Sequence, residues 1–93
     1  MIPPSGKPAL APKARLRFDR ISGGYMLLYP ERGLALNATA ASILKLCDGE
    51  RTLETIVVEL HREYVDRSGD DVRDEVMGFL EELLKRGLLR VLG

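Results

Sequence analysis

Apolar and polar positions alternate with period two over Arg15-Leu16-Arg17-Phe18-Asp19, the pattern of a strand with one wet face. Gly23-Gly24 permits a turn. Tyr25 to Tyr29 is apolar on both faces, which predicts a central strand that ends at Pro30, since proline has no amide to give to a ladder. Tyr29-Pro30-Glu31-Arg32 suits a type I turn with proline at its second position, and Gly33 is expected in the left-handed conformation that relaunches the chain. Leu34 to Leu36 reads as a short third strand.

The period then becomes helical. Ala40, Ile43, Leu44, Leu46 and Cys47 gather on one side of a helix that Asn37 caps and Asp48-Gly49 stops. Leu53, Ile56, Val57, Leu60 and Tyr64 form the face of a second helix, capped by Thr52 and broken by Asp66-Arg67-Ser68-Gly69. A third is predicted from Asp70 or Asp71 to Arg86, with carboxylates at the positive end of its dipole and Gly87 as its stop. Leu88 to Leu92 reads as a terminal extended segment. On the third helix Val72, Val76, Met77, Phe79, Leu80, Leu83 and Leu84 sweep an arc of about 160°, against about 100° for an ordinary surface helix. Helices one and two with the sheet bury that arc, or something else covers its excess.

Ahead of these elements, Pro3, Pro4, Pro8 and Pro12 with Ser5 and Gly6 remove backbone donors and offer few side chains to bury, so residues 1–13 are expected to form a flexible arm and 14–93 the domain. At 93 residues the chain supports one small domain, burying about 60 to 65% of its unfolded surface. No apolar run approaches a membrane span, and the first residues lack the core of a signal peptide, so a soluble, cytoplasmic protein is expected. A lone Cys47 fits a reducing compartment.

Formal charge is zero, but it is split. Residues 1–36 carry Lys7, Lys13, Arg15, Arg17, Arg20 and Arg32 against Asp19 and Glu31, leaving a surplus of four positive charges that residues 37–93 balance with four negative ones. Such a split favours contact between the basic front and an acidic surface, on this chain, a second copy or a partner.

Candidate chemistry is sparse. His61 sits at the border of the second helix's apolar face, where a partly buried structural role is expected, and Cys47 reads as an unreactive core thiol. One His, one Cys and scattered carboxylates lack the spacing of a zinc site, and Gly23-Gly24 is too little for a phosphate loop. Asp70-Asp71 is explained by helix capping, and Asn37-Ala38-Thr39 by a cap before a glycosylation sequon. No enzyme activity, metal or cofactor is expected.

Five segments in order carry a resemblance. Arg15-Leu16-Arg17-Phe18-Asp19, Leu27-Leu28-Tyr29-Pro30-Glu31, Leu36-Asn37-Ala38-Thr39-Ala40, Leu46-Cys47-Asp48-Gly49-Glu50-Arg51-Thr52, and Phe79-Leu80-Glu81-Glu82-Leu83 with Arg86-Gly87-Leu88 together resemble the PqqD family of pyrroloquinoline quinone (PQQ) biosynthesis. The likeness runs from about Arg15 to the end and leaves the proline-rich arm outside. It implies a small α+β, winged-helix-like domain of three strands and then three helices, a recognition element for ribosomally made and modified (RiPP) precursor peptides. It also implies a peptide chaperone that binds a PqqA-like precursor and presents it to a PqqE-like radical S-adenosylmethionine enzyme. Carried over by position, Leu34, Ala35 and Leu36 are the edge that receives the peptide, and Val72, Arg73, Val76, Phe79 and Leu80 the wall beside it. Strand addition at an open edge fits this physically.

Two other readings compete. In a DNA-binding winged helix, the helix from Asp70 to Arg86 would have to approach phosphates, yet it carries six acids and three bases. A carrier of the finished quinone needs cations such as Arg15, Arg17 and Arg73 in one pocket. A homodimer is also open to this chain, by exchange of the basic strands about a hinge at Leu36-Asn37.

Overall fold

The computed structural model describes residues 2–93, which form β1 (Lys7–Leu10), β2 (Arg15–Asp19), β3 (Gly24–Tyr29), β4 (Arg32–Leu36), α1 (Ala38–Leu46), α2 (Leu53–Glu63), α3 (Gly69–Lys85) and β5 (Leu89–Leu92). The α+β class and the run of three strands into three helices agree with the sequence reading. Antiparallel β2, β3 and β4 make one sheet with β3 at its centre, and β1 pairs antiparallel with β5 in another.

The register sorts the side chains of the larger sheet. Leu16, Leu27 and Leu34 stand opposite one another, as do Phe18, Tyr25 and Leu36; Leu27 is completely buried, so this face is the one turned to the helices. The other face therefore carries Arg15, Leu28 and Gly33 in one row and Arg17, Met26 and Ala35 in the next. Beneath the inner face Ile43, Leu53, Ile56, Leu60, Leu80 and Leu83 form the centre of one continuous core.

Each helix begins as its sequence requires. Asn37 Oδ1 accepts from the Ala40 amide at 2.8 Å and Thr52 Oγ1 from the Thr55 amide at 3.2 Å. In α3 the cap is Ser68, whose Oγ accepts from the Asp71 amide at 3.0 Å, so the helix starts at Gly69 and Asp70 and Asp71 lie in its first turn. Its end is a Schellman motif: the Leu88 amide reaches Leu83 O at 2.9 Å and the Gly87 amide reaches Leu84 O at 3.0 Å, with Gly87 at φ 71°.

Two expectations are corrected. Gly33 does not take a positive φ; it lies within β4 opposite Leu28, and a Cβ there would stand 2.9 Å from Leu28 Cδ2 and 3.1 Å from Met26 Cε. Close packing on the outer face, not turn geometry, is what glycine answers. The flexible arm over residues 1–13 is likewise replaced by an ordered segment over its described part, Met1 lying outside the described residues. Lys7–Leu10 is β1, and Ile2, Pro8 and Ala9 are buried. Prolines cannot donate, but their carbonyls accept, and α2 has free amides at its start. The Leu53 amide donates to Gly6 O at 2.8 Å and the Glu54 amide to Pro4 O at 3.1 Å, while the Gly49 amide donates to Pro8 O at 3.0 Å.

Candidate functional site

β4 has β3 on one side and no strand on the other. Which of its amides face that opening follows from the hairpin. Tyr29 and Arg32 close a two-residue loop at Pro30-Glu31, and the residues flanking such a loop exchange their hydrogen bonds with each other. Alternation along the ladder then turns Leu34 and Leu36 toward β3 and leaves Gly33 and Ala35 facing outward. The leucine side chains point to the core side, both half-buried, and Ala35 is exposed. Of the predicted edge residues, Ala35 thus supplies backbone groups and Leu34 and Leu36 supply apolar surface. Gly33 belongs with Ala35; the parity of the hairpin register was the signal for it.

Leu36 leads through Asn37 into α1, and Thr39 in its first turn lines a cleft together with Tyr64 of the α2 terminus and Val72, Glu75 and Val76 of α3. The cleft encloses only about 10 Å³. Arg67 and Glu75, both on its lining, pair at 2.6 Å. Val72, Val76 and Leu80 are buried members of the core, so they support the α3 side of the cleft from within. Phe79 is half-buried and lies one turn beyond Val76 on the same stripe of α3. The broad arc on this helix is therefore divided: Val72, Val76, Leu80 and Leu83 are core, while Met77, Phe79 and Leu84 flank it half-exposed. Arg73 turns away from the stripe to Glu54, at 2.7 Å, and that hydrogen bond holds its guanidinium further into the charged range.

Elsewhere the structure settles the single-residue candidates. Cys47 is buried, with its thiol donating to Ile43 O at 3.3 Å, and burial pushes it up to about 12, beyond nucleophilic use near neutrality. His61 is exposed, contrary to the expected partial burial, because α2 packs through Ile56, Val57 and Leu60; its Nε2 meets Arg67 O at 2.9 Å and ties the helix to the turn that follows. Arg15 and Arg17 stand on the outer sheet face and Arg73 beside α2, so the cations a quinone carrier would need are not gathered. On α3, Arg73 and Arg86 are already engaged by Glu54 and Glu82, which leaves little to meet nucleic acid phosphates.

An open strand with two outward amides, next to a helix-lined cleft, is the build of a small α+β recognition domain. Among the described residues there is no group of three or more candidate metal ligands, and no helix is long and apolar enough to cross a membrane. The family model for coenzyme PQQ synthesis protein D (PqqD) matches residues 24–89, a span that contains β3, β4 and all three helices, and the chain belongs to the PqqD family. A PqqA binding protein of Methylococcus capsulatus is 42% identical over 81 residues, 87% of this chain and 84% of that one. One from Rhodopseudomonas palustris strain BisB5 is 37% identical over 86 residues, 91% of this chain and 82% of that one. The solution NMR structure of the PqqD truncation of Methylobacterium extorquens PqqCD, described as a functional and stand-alone RiPP recognition element, is similar with a TM-score of 0.80 at 31% identity, covering 97% of this chain and 95% of that chain.

Proposed function

We propose that this protein is a cytoplasmic peptide chaperone of PQQ biosynthesis. It binds a PqqA-like precursor peptide as an added strand on β4 and presents it to a PqqE-like radical S-adenosylmethionine enzyme, with no catalysis of its own. The carrying observation is the open β4 edge, where Gly33 and Ala35 turn their backbone groups outward. The peptide's alternate side chains that point inward meet Leu34, Leu36 and Phe79, over a wall that Val72, Val76 and Leu80 hold from behind. The cleft is too narrow to take a side chain as it stands, so the peptide lies along its mouth. Arg73 belongs to the rim.

Ala35→Pro tests the register. Proline is tolerated on an edge strand when its missing amide faced outward, so the fold should persist. The peptide loses a hydrogen bond worth about 0.5 to 1.5 kcal/mol and meets the ring, so calorimetry should show affinity reduced about tenfold. Unchanged affinity in a folded variant would discard this register. In amide spectra, precursor peptide should shift Gly33 to Leu36 and Val72 to Leu83 ahead of the rest of the chain.

A further inference from the structure

Any strand that pairs with β4 puts only half of its side chains on the α3 side. Neighbours in a ladder share a face, so residues of an added strand opposite Leu34 and Leu36 point inward, and those opposite Gly33 and Ala35 stand on the outer face of the sheet. Two features of the chain set what they meet there. β4 itself gives that face almost nothing, since Gly33 has no side chain and Ala35 only a methyl group. β3, the next strand in, gives it Leu28 and Met26, which lie opposite Gly33 and Ala35.

The ends of these two side chains converge on the glycine. The place that a Cβ of Gly33 would take lies 2.9 Å from Leu28 Cδ2 and 3.1 Å from Met26 Cε, Met26 reaching it from the diagonal position. Both residues are half-buried, and they also line an open concavity of about 810 Å³ with Arg17, Arg20 and Ile21. A neighbouring strand runs about 5 Å from β4. The Cβ of a residue opposite Gly33 therefore stands about one strand spacing from these methyl groups, beyond the reach of about 4 Å at which apolar atoms touch. Alanine leaves that gap open, and a side chain with roughly two or three further carbons closes it. Cδ2 and Cε carry no charge and make no hydrogen bond, so the side chain that matches them is apolar. Backbone bonds to an edge are common to every sequence, whereas a side-chain contact of this kind discriminates between sequences.

We infer that Gly33, Leu28 and Met26 form a side-chain subsite for the captured peptide on the outer face of the sheet, and that it selects a large aliphatic or aromatic residue at the peptide position opposite Gly33. Gly33 is the specificity-determining residue, because any Cβ there would displace the ends of Leu28 and Met26 and fill the subsite. The inference rests on the strand addition at β4 that the proposed function contains.

The test titrates Leu28→Ala and Met26→Ala with a PqqA-like peptide by calorimetry, after amide spectra have confirmed the fold. Affinity should fall about fivefold or more in each. Ile21→Ala, at an exposed position of the same concavity but in the β2–β3 loop, should change it by no more than about twofold. When peptide residues are replaced one at a time by alanine, one position should weaken binding to wild-type protein yet have little further effect on Leu28→Ala, the coupling of a direct contact. Wild-type affinity in both folded variants would overturn the inference, as would an equal loss in Ile21→Ala or the lack of any coupled position. Should either variant unfold, the methyl resonances of Leu28 and Met26 in wild-type protein decide: peptide shifts them if the subsite exists and leaves them in place if it does not. Peptide that shifts the Gly33 and Ala35 amides without those methyls sinks the subsite and keeps strand addition. Peptide that shifts neither sinks the proposed function, and the subsite with it.

Discussion

Leu80 is fully buried, whereas Phe79, one residue earlier, sits half-exposed at the margin of the core. The two should part company when truncated. Leu80→Ala should cost about 2 to 5 kcal/mol of stability, as buried leucines do. Phe79→Ala should cost less than the 3 to 5 kcal/mol or so of a core phenylalanine while weakening peptide binding; the full core loss with unchanged affinity would remove Phe79 from the wall. Thermal unfolding and calorimetry on the same two variants read both quantities. Cys47 offers a pH test. Its thiol is pushed up to about 12 from 9.0, so the unfolded chain ionises first and this contribution to stability is present below pH 9 and lost between about 9 and 12. The difference in unfolding midpoint between wild type and Cys47→Ala should shrink over that window, and alkylation near pH 8 should be limited by unfolding. Fast alkylation of the folded protein at pH 8 would contradict the burial.

The N-terminal segment reverses what its composition implies. Proline-rich stretches are read as mobile because they lack donors and bulky side chains, but α2 begins with amides that need acceptors, and Pro4 O and Gly6 O fill that need. Pairing of β1 with β5 then completes the second sheet and seats Ile2 in the core. Ile2→Ala should therefore lower stability by about 2 to 5 kcal/mol in denaturant titrations, where a free arm would show no change. Gly6 has a separate constraint: a Cβ there would stand 2.7 Å from Val91 Cγ1. Asn37 and Thr52, in contrast, cap the helices that their local sequence marks, because a cap bonds only within its own turn.

For the molecule as a whole, the charge split between strands and helices sets which surfaces remain open. Arg51, Arg67, Arg73 and Arg86 pair with carboxylates of the helical half, whereas Arg15 and Arg17 of the sheet enter no ion pair among the described residues. If residues 2–36 exchange between two copies about Leu36-Asn37, the two β4 ends come side by side and compete with the peptide for the same backbone groups. Sedimentation across protein concentration, with and without precursor peptide, should show a dimer that saturating peptide disperses. A monomer throughout, or a dimer indifferent to peptide, would rule out exchange.

Periodicity was enough for the three central strands, the three helices and their stops, since each rests on contacts a few residues apart: alternation for β2 and β3, the 3.6-residue stripes of Leu53 to Leu60 and Val72 to Leu83, and the left-handed glycine after α3. Periodicity did not make Leu34 to Leu36 an edge: the family resemblance implied it, and the strand order β2-β3-β4 is what leaves β4 with a single neighbour. Properties set by distant segments were out of its reach. β1 exists because β5 and the start of α2 are there to receive it, more than forty residues away in sequence. Gly33 is needed for space beside Leu28 and Met26, and Val72, Val76 and Leu80 are separated from Phe79 by burial that one helical wheel cannot assign. The placement of Met26 and Leu28 has the same origin: Tyr25 to Tyr29 is apolar on both faces in the sequence, and only the burial of Leu27 in the common core decides that Met26 and Leu28 stand on the opposite side of the sheet.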